Sequence, residues 1–552
     1  MNSINKSFNK LWQSLLISIF LVSLNHLSYA QSAPINNGTL NFGLTSASLS
    51  QLSMGVNWPF FGNSIVNSSY NPHENILTSA TVPYMVPKWI YQIDTMTGIS
   101  ARPAVVDNIV YFPDWGGNLQ ALNANDGSVI WKHNMDADYS QPGKTVGEAR
   151  ATPAIFGNTI YLASNSSSPV SPPNGAVMMA INRDDGTLRW STLLDSHPLS
   201  KVDQSAMYYK GVVYVGVASS EETASPFCMV TNTCSFRGSF NALDAKTGKI
   251  LWKTYMTTPA FTGAAVWGST PVIDVKRNSI YIGTGNNYTG PAQDDPNNLD
   301  DAIVALDLDT GAVKWATKLS PTDSPDIWTL ICKISHLSCG PDADFGQGPM
   351  LYTVKINGVD QDMLAAGQKS GVLYALNPDS GQVIWYTSIG PGNTLGGMEW
   401  GSATDGNRIY VANSNIAHVP ITLVNPSPGS PAVTTNALWA AVDAISGKII
   451  WQTADPNSND LAAGPVAVAG DVVYAGSANR LGLHSGYFYA FNASDGSILW
   501  SYPTMVDDND SGAVLSGATI VNGTVYWGSG YLPILSHSHG NKFYAFALPS
   551  SQ

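Results

Sequence analysis

The chain has 552 residues, 44% hydrophobic and only 12% charged, with 50 Gly, 16 Trp and a formal net charge of −13. An isoelectric point near 5.0 argues against nucleic acid or an anionic membrane surface as partner. Sparse charge with abundant Gly and Trp is the composition of short strands and tight turns.

Residues 1–30 read as a secretory signal. Lys6 and Lys10 form a basic end, Leu15–Leu24 an apolar stretch, and Ser28-Tyr-Ala30 a small-x-small cleavage site. The apolar stretch is too short for a membrane anchor and no Cys follows the site, so a periplasmic or secreted protein without membrane or lipid anchor is expected. Residues 31–85, with Asn57-Trp-Pro-Phe-Phe-Gly62, carry no repeat and are expected to pack as an extension on the rest of the chain.

Residues 86–552 hold the repeat. An Asp or Asn, then Gly four residues on, then Trp four residues after that, recurs at Gly127/Trp131, Gly186/Trp190, Gly248/Trp252, Gly311/Trp315, Gly381/Trp385, Gly447/Trp451 and Gly496/Trp500. The acidic or amide side chain opens a turn by bonding its own backbone, and Gly supplies the positive φ that closes a bulged hairpin. The Trp sits on the outgoing strand, where a large ring fills the wedge between neighbouring units. Another strand pair precedes each turn, which makes four strands per unit, the pattern of propeller blades. Eight such pairs occur, and the eighth unit stops at Lys542-Phe-Tyr-Ala-Phe-Ala-Leu548 without an outer strand. Pro87-Lys-Trp-Ile-Tyr-Gln92 supplies the missing strand, so the sequence predicts an all-β, eight-bladed propeller closed by its own N-terminal strand.

Three insertions, 219–238, 286–301 and 320–349, turn polar and irregular at corresponding places of adjacent blades, and so are expected on one face near the axis. Two of them contain the four cysteines, as local pairs Cys228/Cys234 and Cys332/Cys339 suited to disulfides after export. No Cys-x-x-Cys-His haem-attachment motif is present.

Several segments in this order resemble the quinoprotein alcohol dehydrogenases, in particular the polyvinyl alcohol dehydrogenase branch. They are Phe112-Pro-Asp-Trp-Gly-Gly-Asn-Leu119, Gly216-Val-Ala-Ser-Ser-Glu-Glu222, Ser235-Phe-Arg-Gly238, Gly283-Thr-Gly-Asn286, Asp342-Ala-Asp-Phe-Gly346 and Gly396-Gly-Met-Glu-Trp-Gly401. The resemblance implies pyrroloquinoline quinone (PQQ) on the propeller axis beside a cation. Glu222, or its neighbour Glu221, and Asn286 match the metal ligands, with Asp344 able to join them. An oxygen donor set suits Ca²⁺, and a second nearby carboxylate leaves room for a lanthanide. Asp344 leads for the catalytic base, followed by Asp342 and Asp326. Trp267, Lys369, Arg150 and Ser205 match quinone contacts, and Glu399 and Trp400 a loop lining the site. Two departures stand out: no adjacent-cysteine disulfide is possible, and Ser100 replaces a quinone-contacting Glu of some relatives. The implied activity is oxidation of secondary alcohols, polymeric ones such as polyvinyl alcohol included, with electrons passing to a separate soluble cytochrome c or another acceptor. The competing reading is a non-catalytic propeller serving as an assembly scaffold in the cell envelope.

Overall fold

The computed structural model describes residues 57–549 apart from 143, 145, 165–174, 222–227, 229–232, 289–296, 320–341, 393–395, 459, 480–485, 505–511 and 532–539. The signal segment, Glu222, Asp326, Cys332 and Cys339 therefore lie outside the described residues.

Eight antiparallel four-stranded meanders form the blades. In blade 1 the strands Ala104–Val106, Ile109–Pro113, Asn118–Asn123 and Val129–Asn134 pair in chain order. The innermost strands of blades 2 to 8 begin at Ala154, Met207, Val272, Met350, Ala403, Ala467 and Thr519. Blade 8 takes its outer strand from the N-terminal side, as expected: Val86–Gln92 runs antiparallel to Lys542–Ala547, with Ile90 opposite Tyr544. That pairing joins the two ends of the sheet order and removes two open edges.

The repeated Gly and Trp lock each blade to the next. The seven turn glycines have φ between +71° and +74°, where a Cβ is costly. Each also receives the ring of the preceding blade's Trp, so closely that a Cβ on Gly248 would lie 2.5 Å from Trp190 Cε3. Trp190 Nε1 donates to Ala245 O at 3.1 Å, and Thr192 Oγ1 donates to Gly248 O at 2.7 Å. The same hydroxyl-to-turn bond recurs from Thr254, Thr317, Thr387 and Thr453, each two residues after its Trp. Trp89, on the closing strand, does for Gly127 what the other rings do for their turns.

The extension lines the axis. Trp58 pairs with Val105, and then Ile155, Ile273, Leu351, Thr404 and Val468 donate their backbone N–H to Pro59, Ile65, Val66, Ser68 and Ser69 in turn. Asn71 Nδ2 reaches Ile520 O at 2.8 Å. In chain order the segment thus visits blades 1, 2, 4, 5, 6, 7 and 8, covering strand edges that face the axis. Because strands alternate in direction, second-to-third-strand loops and blade-to-blade connections leave on one common face. The described ends of all three insertions belong to connections of these two kinds and leave on that face, as the sequence predicts.

Candidate active site

The residues named from the family resemblance come from those same two kinds of loop. Trp267 lies between blades 3 and 4, Asp342 and Asp344 between 4 and 5, and Lys369 between the second and third strands of blade 5. Lys369 Nζ donates to Asp344 Oδ2 at 3.0 Å and to both oxygens of Asp342 at 3.1 Å. Trp267 Nε1 donates to the same Asp344 Oδ2 at 3.1 Å, and the ammonium sits 5.1 Å from the Trp267 ring centre. Asp344 Oδ1 is buried with no hydrogen-bond partner among the described residues. Gly285, next to the buried Asn286, closes the group: a Cβ there would lie 2.9 Å from Trp267 Nε1 and 3.2 Å from Asp344 Oδ1. Trp267, Asp344, Lys369 and the Asn286 loop therefore converge.

Asp342 is engaged by the same ammonium. With both oxygens on Lys369 it is the ammonium's counter-ion, which leaves Asp344 Oδ1 as the carboxylate atom available for chemistry. Glu221, the alternative to Glu222 as metal ligand, is engaged by its own loop. Its oxygens accept from the Ser235 and Phe236 amides at 2.9–3.2 Å and from Ser235 Oγ, with His197 Nε2 at 3.5 Å. Burial opposes its charge, but the bonds from His197 and those amides outweigh it and hold the carboxyl below its ordinary value. Glu221 thus anchors the loop closed by the Cys228–Cys234 disulfide, and its acceptor capacity is used there.

Beside this cluster a small cleft is lined by residues including Arg150, Ser205, Trp267 and Trp400. Arg150 stacks 3.8 Å over Trp400, and Trp400 meets Trp267 edge to face at 5.4 Å and 72°. Arg150 lies 3.8 Å from Asp203, which also pairs with Lys201 at 3.0 Å. Ser205 Oγ accepts the Thr152 amide at 2.9 Å. Arg102, Thr152 and Tyr531 belong to this region and carry no part of the motifs that point to the site from sequence, whereas Trp115, edge-on to Tyr531, lies within the Phe112–Leu119 segment. A signal for Arg102 did exist. It precedes Pro103 where equivalent positions hold Thr152-Pro153, Thr270-Pro271 and Gly348-Pro349, so a large charged residue replaces small ones.

The residues fit a quinone with a cation. At one end Arg150 and Lys201 share a single carboxylate, Asp203, which suits an anionic ligand. At the other, Asp342, Asp344 and Glu399 surround one ammonium, and an orphaned carboxylate oxygen suits a hard cation. Trp267 joins the two ends and can offer a ring to a flat ligand.

Glu399 reports on this electrostatic field. Burial pushes its carboxyl up to about 7 from 4.5; Asp344 adds to the rise while Lys369 and Arg150 oppose it. The folded protein therefore holds a proton that the unfolded chain has released. Stability of the quinone- and metal-free protein is expected to fall by about 3 kcal/mol as pH rises from about 4.5 to about 7, and to level off above. Glu399→Gln should flatten that segment of the pH–stability curve, measured by chemical denaturation; an unchanged slope would assign it to other groups.

The chain is similar to several known proteins. A family model described as outer membrane protein assembly factor BamB matches residues 88–329 and 299–542, the repeat-bearing part. The chain is 30% identical over 517 residues to a polyvinylalcohol dehydrogenase of a Pseudomonas species, covering 87% of this chain and 74% of that one. Among solved structures, a quinohemoprotein alcohol dehydrogenase from Pseudomonas putida HK5 superposes with a TM-score of 0.67 at 17% identity, covering 90% of this chain and 81% of the other. A europium-containing methanol dehydrogenase also gives 0.67 at 17% identity, over 91% and 100% of the two chains. At such identities the structures support the fold, and the sequence relationship supplies the rest. The chain belongs to the PQQ-dependent quinoprotein alcohol dehydrogenase family, on the polyvinyl alcohol dehydrogenase side of it.

Proposed function

We propose that this alcohol-oxidising quinoprotein acts on secondary alcohols, including polymers of the polyvinyl alcohol type, with PQQ and Ca²⁺ held in the axial cleft. The observation that carries the reading is the convergence of Asp344, Lys369 and Trp267, with an unpartnered Asp344 oxygen, beside a cleft that gathers cationic groups. The substrate class rests on the 30%-identical polyvinylalcohol dehydrogenase. A lanthanide is the alternative ion, and Asn286, Asp344 and Glu222 are the proposed ligands.

When bound, the quinone supplies the hydride acceptor and the cation polarises it. The chain's own residues do the rest. Asp344 Oδ1 takes the hydroxyl proton as hydride leaves the carbinol carbon, giving a ketone. Lys369 and Trp267 hold Asp344 Oδ2, which fixes the direction of Oδ1. Arg150 and Ser205 would take the quinone's acid groups, and the ring of Trp267 would back its plane, with Trp400 edge-on beside it. The two electrons then leave to a separate acceptor, for which a soluble cytochrome c is proposed. Residues 1–30 are proposed to direct export to the periplasm or medium; no helix among the described residues is long and apolar enough to cross a membrane.

The scaffold reading loses ground because the sequence relatives are dehydrogenases and the charged cluster is filled. The test is dye reduction by the purified chain after loading with PQQ and Ca²⁺, offering polyvinyl alcohol, a small secondary alcohol and a primary alcohol. Turnover of the secondary alcohols above the primary is expected. A loaded protein that reduces no dye with any of them would overturn the reading.

A further inference from the structure

In blade 6 the second strand, Arg408–Asn413, and the third, Leu438–Asp443, are joined by residues 414–437. This loop is of the same kind as the one that carries Lys369, so it leaves on the face of the cleft. No Asp, Glu, Lys or Arg stands between Arg408 and Asp443, although the chain as a whole carries a net charge of −13. The loop is a built ribbon. Ile421–Thr422 pairs antiparallel with Val433–Thr434, and Asn415 Nδ2 ties the two ends by donating to Val419 O and Thr435 O, both at 3.0 Å. Its far end is fastened to the outermost strand of the blade, where Gln452 O accepts the Ser427 amide at 2.8 Å and Asn425 Nδ2 donates to Ile449 O at 3.0 Å. At its root Ile416 is buried in an apolar cluster with Leu515 and Tyr531, both lining the cleft, and Trp400 packs against that cluster. The ribbon thus runs from the cleft to the rim of the propeller.

Its outward side chains follow a pattern. Thr422 stands opposite Val433, and both are exposed. Alternation along the chain puts Pro420 and Val424 beside Thr422, and Pro431 and Thr435 beside Val433, all exposed. Val424 and Val433 are 50% and 55% exposed. Apolar groups and hydroxyls are therefore interspersed on one uncharged face, and contiguous exposed apolar surface marks a binding surface. A charged partner finds no counter-charge on these residues. A neutral chain that alternates methylene with hydroxyl-bearing carbons meets both kinds of contact. We propose that this ribbon is a docking track for the uncharged, polyhydroxylated carbon chain of a polymeric substrate, holding it along the face while one carbinol enters the cleft. The inference rests on the substrate class proposed above and deepens it. A polymer held at the ribbon raises the local concentration of its own carbinols at the cleft, so the ribbon acts on the KM for polymer and leaves the chemical step alone.

The test compares the purified full chain with Val424→Asp plus Val433→Asp, and with Val424→Ser plus Val433→Ser as an uncharged second variant. Binding is read on the unloaded proteins by native electrophoresis in gels cast with and without polyvinyl alcohol. Dye reduction by the PQQ- and Ca²⁺-loaded proteins is followed with polyvinyl alcohol and with a small secondary alcohol. The polymer should retard the parent and the aspartate variant much less. The KM of that variant for the polymer should rise about fivefold or more, with kcat and KM for the small alcohol unchanged. The serine variant should shift the same way by about twofold to fivefold, and it decides should the aspartate variant fail to fold. Parental retardation and parental polymer KM in the variants would overturn the inference. So would equal shifts for polymer and small alcohol, or a parent that the polymer does not retard. A loaded parent that oxidises no alcohol would sink the proposed function alone, and the gels would still decide whether the ribbon binds the polymer.

Discussion

Asp344→Asn in the PQQ- and Ca²⁺-loaded protein is expected to lower kcat by about 10²–10⁴-fold, the usual contribution of a positioned general base. The substitution is chosen to be quiet structurally. Asn keeps an oxygen that can accept from Trp267 Nε1, and Lys369 remains paired with both oxygens of Asp342 at 3.1 Å, so no buried ammonium is stranded. PQQ binding should persist, since the cationic end of the cleft is untouched. Calcium affinity should drop if Oδ1 also ligates the ion, so both ligands are titrated separately from turnover. Asp342→Asn gives the contrast. It removes the charge of the bidentate counter-ion, which disturbs placement of Lys369 more than proton transfer, and a loss near tenfold is expected. Equal, small effects from the two variants would remove Asp344 from the reaction.

The fold was readable because each blade repeats one local instruction. Gly at positive φ and Trp four residues later need no distant partner to be recognised, and their fixed spacing survives insertions of any length elsewhere. The hydroxyl two residues after five of the Trp residues belongs to the same lock, yet Thr on a strand is too ordinary to announce itself. The circuit of the extension was hidden for a different reason. It is made of backbone bonds to innermost strands far along the chain, such as Leu351 N to Val66 O, and backbone bonds leave no side-chain signature.

Within the site, the residue types of Trp267, Asp344 and Lys369 were legible from their motifs, whereas the division of labour was not. Two acids two residues apart look interchangeable in sequence; only geometry gives both Asp342 oxygens to Lys369 and leaves one Asp344 oxygen open. Glu221 and Glu222 were adjacent alternatives, and the partners that occupy Glu221 are amides 14 and 15 residues away.

Gly248→Ala is expected to destabilise blade 3 strongly. The backbone sits at φ +72°, a region that costs an L-residue about 1–2 kcal/mol. The new Cβ would also lie 2.5 Å from Trp190 Cε3 and 2.7 Å from Thr192 Oγ1, inside contact distance for both. Relief requires the indole to back out of the interface between blades 2 and 3, which strains the Trp190–Ala245 bond of 3.1 Å and the Thr192–Gly248 bond of 2.7 Å. Overpacking of this kind costs about 1–3 kcal/mol, so a total of about 2–5 kcal/mol is expected. Gly211→Ala in the same blade is the control, because its φ is +83° but nothing lies within 4 Å of the added Cβ. It should show only the backbone part, about 1–2 kcal/mol. The difference between the two, read from chemical denaturation midpoints, isolates the contribution of the ring against the turn. Indistinguishable midpoints would mean that positive φ alone explains the repeated glycine, and that the Trp merely fills space beside it.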